Sequence, residues 1–197
     1  MSGTTTDVYA YTDRALTALR REMVRRFAPF RGMLAMDEVN ILTRAKELYT
    51  ELDKDARTVF LRIARMEYPK ADRYWLEERL NDYDLVTGYN YVHEVERKAA
   101  RFGEALVAAM AAGRSASDVV DTSLRLWSNM VTQYAVEITD TARLDAMAAD
   151  GVDEVEWVSR LDANRCLVCK KRHGTVYPID GVPPKPHIGC RCYLIPR

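Results

Sequence analysis

Every cysteine of this chain stands between positions 166 and 192, first as Cys166-Leu-Val-Cys169 and then, past a run broken by Gly and Pro, as His187-Ile-Gly-Cys190-Arg-Cys192. Soft ligands gathered at short spacings point to a bound metal ion, and a four-coordinate, sulfur-rich set suits zinc (Zn2+). Twenty residues separate the two cysteine pairs, close to the zinc-ribbon pattern of ligand pairs roughly 15 to 20 residues apart. Cys-x2-Cys lets a tight turn offer two sulfurs to one ion. Residues i and i+2 of a strand face the same side, so Cys190 and Cys192 are expected to point inward together. Cys166, Cys169, His187, Cys190 and Cys192 are five candidates for four tetrahedral places. Either the four cysteines bind and His187 serves elsewhere, or His187 replaces Cys190 or Cys192. The competing reading is one or two disulfides fastening the turn to the C-terminal strand. A redox role for Cys166-x-x-Cys169 lacks the βαβ setting that chemistry uses. A catalytic zinc is disfavoured because thiolate-rich sites leave no open position for water.

The cysteines fall in a segment whose patterning differs from the rest. From Gly151 the chain turns β-branched and aromatic, with Val152 to Ser159 partly alternating, which predicts a strand; two shorter ones are expected at Thr175–Tyr177 and Cys192–Ile195. Pro and Gly punctuate everything between. A segment this small cannot hold itself together by apolar burial and needs a metal, disulfides or a larger body to dock on.

Upstream, apolar residues recur at three- and four-residue steps, the signature of amphipathic helices. Leu16, Leu19, Met23, Val24 and Phe27 make one stripe, which Pro29 and Gly32 end. Asp37 is the expected N-cap of a second, with Val39, Leu42, Ala45, Leu48, Tyr49 and Leu52 inward. A third helix is expected from about Asp53, carrying Val59, Phe60, Ile63 and Met66 up to Pro69, and a short fourth from Asp72 to Leu80. A long helix from about Tyr89, with Val92, Val95, Ala99, Phe102, Leu106 and Met110, closes at Gly113. Ser115 to Asp118 reads as a loose capping box for a last helix carrying Val119, Leu126, Met130, Tyr134 and Ile138 and reaching Ala149. The expected architecture is mainly α: a helical body over 1–150, then a small Cys/His-rich β module over 151–197 resembling a zinc ribbon or knuckle.

Hydrophobic residues at 48% and charged residues at 29% fit an ordinary soluble domain. No apolar run is long enough to span a bilayer, and the first residues lack the basic start and apolar stretch of a secretory signal. Folding in a reducing cytoplasm is therefore expected, and this favours thiols or metal ligands over disulfides. The formal charge is zero, but from Trp157 onward eight bases face two acids, a local +6 balanced by −6 elsewhere. That basic end could meet an acidic partner or neutralise phosphates through Arg160, Arg165, Lys170, Lys171, Arg172 and Arg191 without reading sequence. His173 reads as an exposed turn residue, His93 as a surface or half-buried helix residue, and Asp162 as the start of the turn before the first cysteines. No Gly-rich phosphate loop, His-Glu-x-x-His or Gly-x-Ser-x-Gly is present, and no enzyme or small-molecule substrate is expected.

Taken in order, Trp157-Val-Ser-Arg-Leu-Asp162-Ala-Asn-Arg-Cys166-Leu-Val-Cys169, then His173-Gly174, then Pro183-Pro184-Lys-Pro-His187-Ile-Gly-Cys190-Arg-Cys192-Tyr-Leu resembles the closing motif of the phage head morphogenesis family, the Mu F-like minor head proteins. The series is far more specific than any single cysteine pair, and it covers only the stretch from Trp157. One extra residue separates the Pro pair from His187, and Ile188-Gly189 stands where the family usually has Pro-Asn. The resemblance implies a minor capsid protein of a tailed phage or prophage, made in the host cytoplasm and carried in the virion. It would act with the portal protein and other head proteins at the portal vertex, with a part in DNA packaging or ejection. The alternative is a zinc-ribbon-like, sequence-independent nucleic-acid-binding protein.

Overall fold

The structure is a computed structural model and describes residues 9–32, 37–159, 165–187, 190 and 192–197. Its order is α1 (Ala10–Arg31), α2 (Glu38–Glu67), α3 (Arg73–Leu80), α4 (Tyr91–Ala111), α5 (Ser117–Ala149), β1 (Glu154–Val158), α6 (Leu167–Arg172), β2 (Val176–Pro178) and β3 (Tyr193–Pro196). The mainly helical body followed by a small β module is thus present. No described helix is long and apolar enough to cross a membrane.

Local chemistry sets the helix ends. The side chains of Asp37, Asp72 and Asn90 accept the backbone N–H groups of Asn40, Trp75 and His93, satisfying donors that a helix start leaves open. Helix α4 closes in a Schellman turn: the Gly113 N–H reaches Met110 O, the Arg114 N–H reaches Ala109 O, and Gly113 takes the left-handed φ of 62°. The same turn ends α5 at Gly151 (φ 81°), with Gly151 N–H to Ala148 O and Val152 N–H to Met147 O. Val152 and Met147, the residues this turn brings together, both pack against the module core.

Four expectations are corrected. One helix, α2, replaces the pair expected to meet near Asp53. Asp53 does not start a helix; it accepts from Arg57 one turn later, and the apolar face of Leu48, Leu52, Ala56 and Val59 runs through unbroken. Pro29 lies inside α1, with Phe30 beyond it still buried. Ser115 bonds the Ser117 N–H only two residues on, so no capping box forms and Asp118 simply sits in the first turn of α5. Five residues expected inward, Val24, Val39, Leu42, Met66 and Leu126, are exposed. Val24, Leu42 and Leu126 each adjoin a buried residue, Met23, Ile41 or Trp127, and so stand about 100° round the helix from the buried face.

Helix α2 packs against α1, α4 and α5, and the centre of the body is aromatic. Phe102 meets Phe27, Phe30 and Tyr49 at centroid distances of 5.4, 5.3 and 5.9 Å, and Tyr49 meets Trp127 edge-on at 5.3 Å. Gly103 lets α4 come close: a Cβ there would stand 2.8 Å from Leu42 Cδ2 and 3.3 Å from Ala45 Cβ.

The module is an antiparallel sheet of order β2-β1-β3, with Val155 opposite Tyr177 and Pro196 and with Trp157 opposite Leu194. Its buried core is Val155, Trp157, Cys169, Cys190, Cys192 and Leu194, joined by Leu144 and Met147 from α5. Half of those six buried residues are cysteines, so the apolar burial available is slight.

Candidate metal centre

Cys166 stands at the N-cap of α6, where its sulfur accepts the Cys169 N–H at 3.3 Å. The Leu167-Val168 link is therefore a turn of helix rather than an open turn, and it leaves both apolar side chains exposed while Cys169 points inward. From the other side, the Cys190 N–H bonds His187 O at 3.2 Å, and Cys190 and Cys192 join Val155, Trp157 and Leu194 of the sheet in one buried core. Cys190 and Cys192 precede β3 rather than lying on it, yet both are buried and face the same cluster.

The five candidates come together as two triads. Cys166, Cys169 and His187 form one; Cys169, Cys190 and Cys192 form the other, and within each the donor atoms lie no more than 4.8 Å apart. Cys169 is the pivot, its sulfur 3.6 Å from Cys190 Sγ and 3.7 Å from His187 Nε2. Sulfurs held about 2.3 Å from a tetrahedral ion are about 3.7 Å apart, so these separations fit ligation. All four cysteines are free thiols, with no S–S bond among them. The cluster could hold a metal ion.

Electrostatics point the same way. The Cys169 N–H holds Cys166 down at about 7, while burial pushes Cys169 up to about 12. Cys190 is raised, by its hydrogen bond to Cys192 first and by burial second, and Cys192 is lowered by that same bond. Packed this closely, the sulfurs cannot all carry charge unless a cation joins them. A divalent ion reverses the logic and takes every ligating thiol as thiolate, with release of protons.

The basic residues expected to contact phosphate divide. Arg172 lies 4.9 Å over the Trp157 ring and donates to Pro184 O at 2.7 Å; Arg165 donates to Ser159 Oγ at 3.1 Å. Both guanidiniums serve the module internally. Lys170 and Lys171 are exposed on α6, while Arg160, Arg191 and Asp162 lie outside the described residues. His173 is exposed, and its Nδ1 accepts the Ser159 N–H at 3.2 Å. His93 meets the Tyr83 hydroxyl at 2.9 Å, away from the sulfurs.

Sequence reasoning missed a polar cluster beneath the sulfurs, made by Tyr9, Asp140 and Lys185. The one available signal was Lys185 itself, a lysine set between Pro184 and Pro186, whose fixed φ angles leave it little freedom of placement. No protein-family model matches the chain, and the curated proteins and solved structures likewise yield no match, so its chemistry is read from the site.

Proposed function

We propose that this chain is a minor head protein of a phage or prophage, acting in head assembly at the portal vertex, and that its C-terminal module is built on one structural zinc ion. The observation that carries the metal reading is the pair of donor triads hinged on Cys169. Cys166, Cys169, Cys190, Cys192 and His187 supply the ligands, and four close the ion's shell. A closed sulfur-rich shell supports a scaffold rather than catalysis, because it leaves no position for a reacting water. When bound, the ion supplies cross-linking between the α6 turn and the segment entering β3.

The head-assembly part rests on the ordered motif from Trp157 to Leu194, whose elements have physical tasks here. Trp157 roofs the module under Arg172, His173 accepts from Ser159, and Pro184 receives Arg172. With Arg165 and Arg172 occupied internally, docking on a head protein is favoured over phosphate neutralisation along the DNA.

Metal analysis of the purified chain tests the first half: one zinc per chain is expected, lost on Cys169→Ser. Binding to a purified portal ring tests the second. Retention on the ring at moderate salt, with weak DNA binding at every salt, is the expected outcome. DNA affinity that falls steeply with salt, with no retention on the portal, would replace this reading by the nucleic-acid one.

A further inference from the structure

Tyr9 opens α1, Asp140 sits on α5, and Lys185 lies in the proline-framed run leading to His187; they meet in the interior directly behind the sulfurs. Lys185 Nζ stands 2.7 Å from Asp140 Oδ2 and donates to the Tyr9 hydroxyl at 2.8 Å and to the carbonyl oxygen of Cys192. The Tyr9 hydroxyl lies 2.6 Å from Asp140 Oδ1 and 2.8 Å from that same Cys192 carbonyl, so its single proton serves one or the other. The Lys185 and Asp140 side chains are only 7% and 9% exposed.

An ammonium has three donor protons and no acceptor. Here two are donated, to a hydroxyl on the body and to the backbone of a candidate ligand, and a carboxylate on the body faces the charge as an ion pair. Away from water, each must be satisfied, or the buried charge goes uncompensated. The Lys185 ammonium is therefore stable in this position only when the Cys190–Cys192 segment presents its carbonyl, which is the conformation that also aims its sulfurs at Cys169.

We propose that Tyr9, Asp140 and Lys185 form a buried latch that couples metal ligation at the Cys/His centre to docking of the module on the helical body. The inference rests on the metal reading above. The three are positioning residues: none offers an atom to the ion, but they hold the Cys192 backbone from behind and, through the short Lys185-Pro186-His187 link, set where His187 begins its turn. Coupling of this kind is reciprocal, so the ion tightens the contact between α1 and the module as much as that contact tightens the ion.

The test uses the full chain. Zinc affinity is measured by competition with a chromogenic chelator for the wild type, Lys185→Met, Asp140→Asn and Tyr9→Phe, with far-UV circular dichroism following the helices. Each of the first two substitutions is expected to weaken zinc at least tenfold with the helical signal retained, and the double variant to be no worse than the more severe single one, because both break one unit. Tyr9→Phe keeps the ring and removes only the hydroxyl, so it is the safeguard should the others lose their fold; a measurable weakening is expected. Chelating the metal should speed amide exchange at the start of α1 in the wild type and have no further effect there in Lys185→Met. Variants that bind zinc as tightly as the wild type would overturn the latch while leaving the metal reading intact. A wild type that takes up no zinc would overturn the metal reading itself.

Discussion

The helical body and the β module solve the same problem by opposite means. In the body, buried side chains from α1, α2, α3, α4 and α5 merge into one continuous core with Phe102 and Trp127 near its centre. Stability there is spread over many contacts, none decisive. Among the described residues of the module the buried apolar core is six side chains, three of them cysteines, so cohesion is concentrated at one point. A region without enough surface to bury needs a few strong bonds in place of many weak ones, and it then stands or falls on a single centre.

The sharpest way to break this comparison is to remove the metal that the proposed centre would hold. Structural zinc contributes on the order of 10 kcal/mol or more to small sites. Chelation of the intact protein is therefore expected to raise amide exchange across Glu154–Val158 and Tyr193–Pro196 by on the order of 100-fold. Exchange in the middle of α2 should stay unchanged. Equal loosening of both regions would show that they do not differ in this way.

Next in size is the converse experiment. Trp127→Ala empties the centre of the body and should cost about 3 to 5 kcal/mol in urea unfolding, while zinc content stays at its wild-type value. Loss of zinc along with stability would mean that the module depends on the body core as a whole and not on its local contacts.

A smaller effect probes the seam between the two regions. Glu137, buried beside Gln133 at 2.7 Å, is pushed up to about 8, chiefly by burial. Its folded pKa lies above its unfolded one, so the native state holds the extra proton. Stability is then expected to fall as pH rises from about 4.5 to about 8 and to change little from this source above that. Glu137→Gln keeps the acceptor and discards the charge, so its advantage in unfolding free energy over the wild type should grow across that window, to on the order of a few kcal/mol. A pH-independent difference would refute the assignment. Smallest of all, Lys170→Ala and Lys171→Ala should change stability by less than about 0.5 kcal/mol and leave zinc content alone, since both are exposed.

What could be read from the chain alone follows the same division. The ligands were legible because their chemistry depends on residue type and short spacing, and Cys166, Cys169, His187, Cys190 and Cys192 do converge. The helix stripes were legible in outline, yet Trp127 and Val120, both buried, lay off the chosen stripe, and Asp53 looked like a helix start although it is an ion-pair partner in mid-helix. The latch could not be read. Tyr9 and Asp140 are 131 positions apart, Lys185 and Tyr9 are 176 apart, and no local pattern marks a contact of that kind.

One long rod joins the two regions. Helix α5 runs for 33 residues from Ser117 to Ala149, about 50 Å at 1.5 Å per residue, and its last turns carry Asp140, Leu144 and Met147 to the module. The module's bearing is thus fixed by angular phase along that rod. One residue inserted between Ile138 and Asp140 would turn everything beyond it by about 100° and carry it about 1.5 Å outward, swinging the sulfur centre away from α1 without altering a single ligand. Keeping the five donors is therefore not enough: the count of residues in this shaft has to be kept as well.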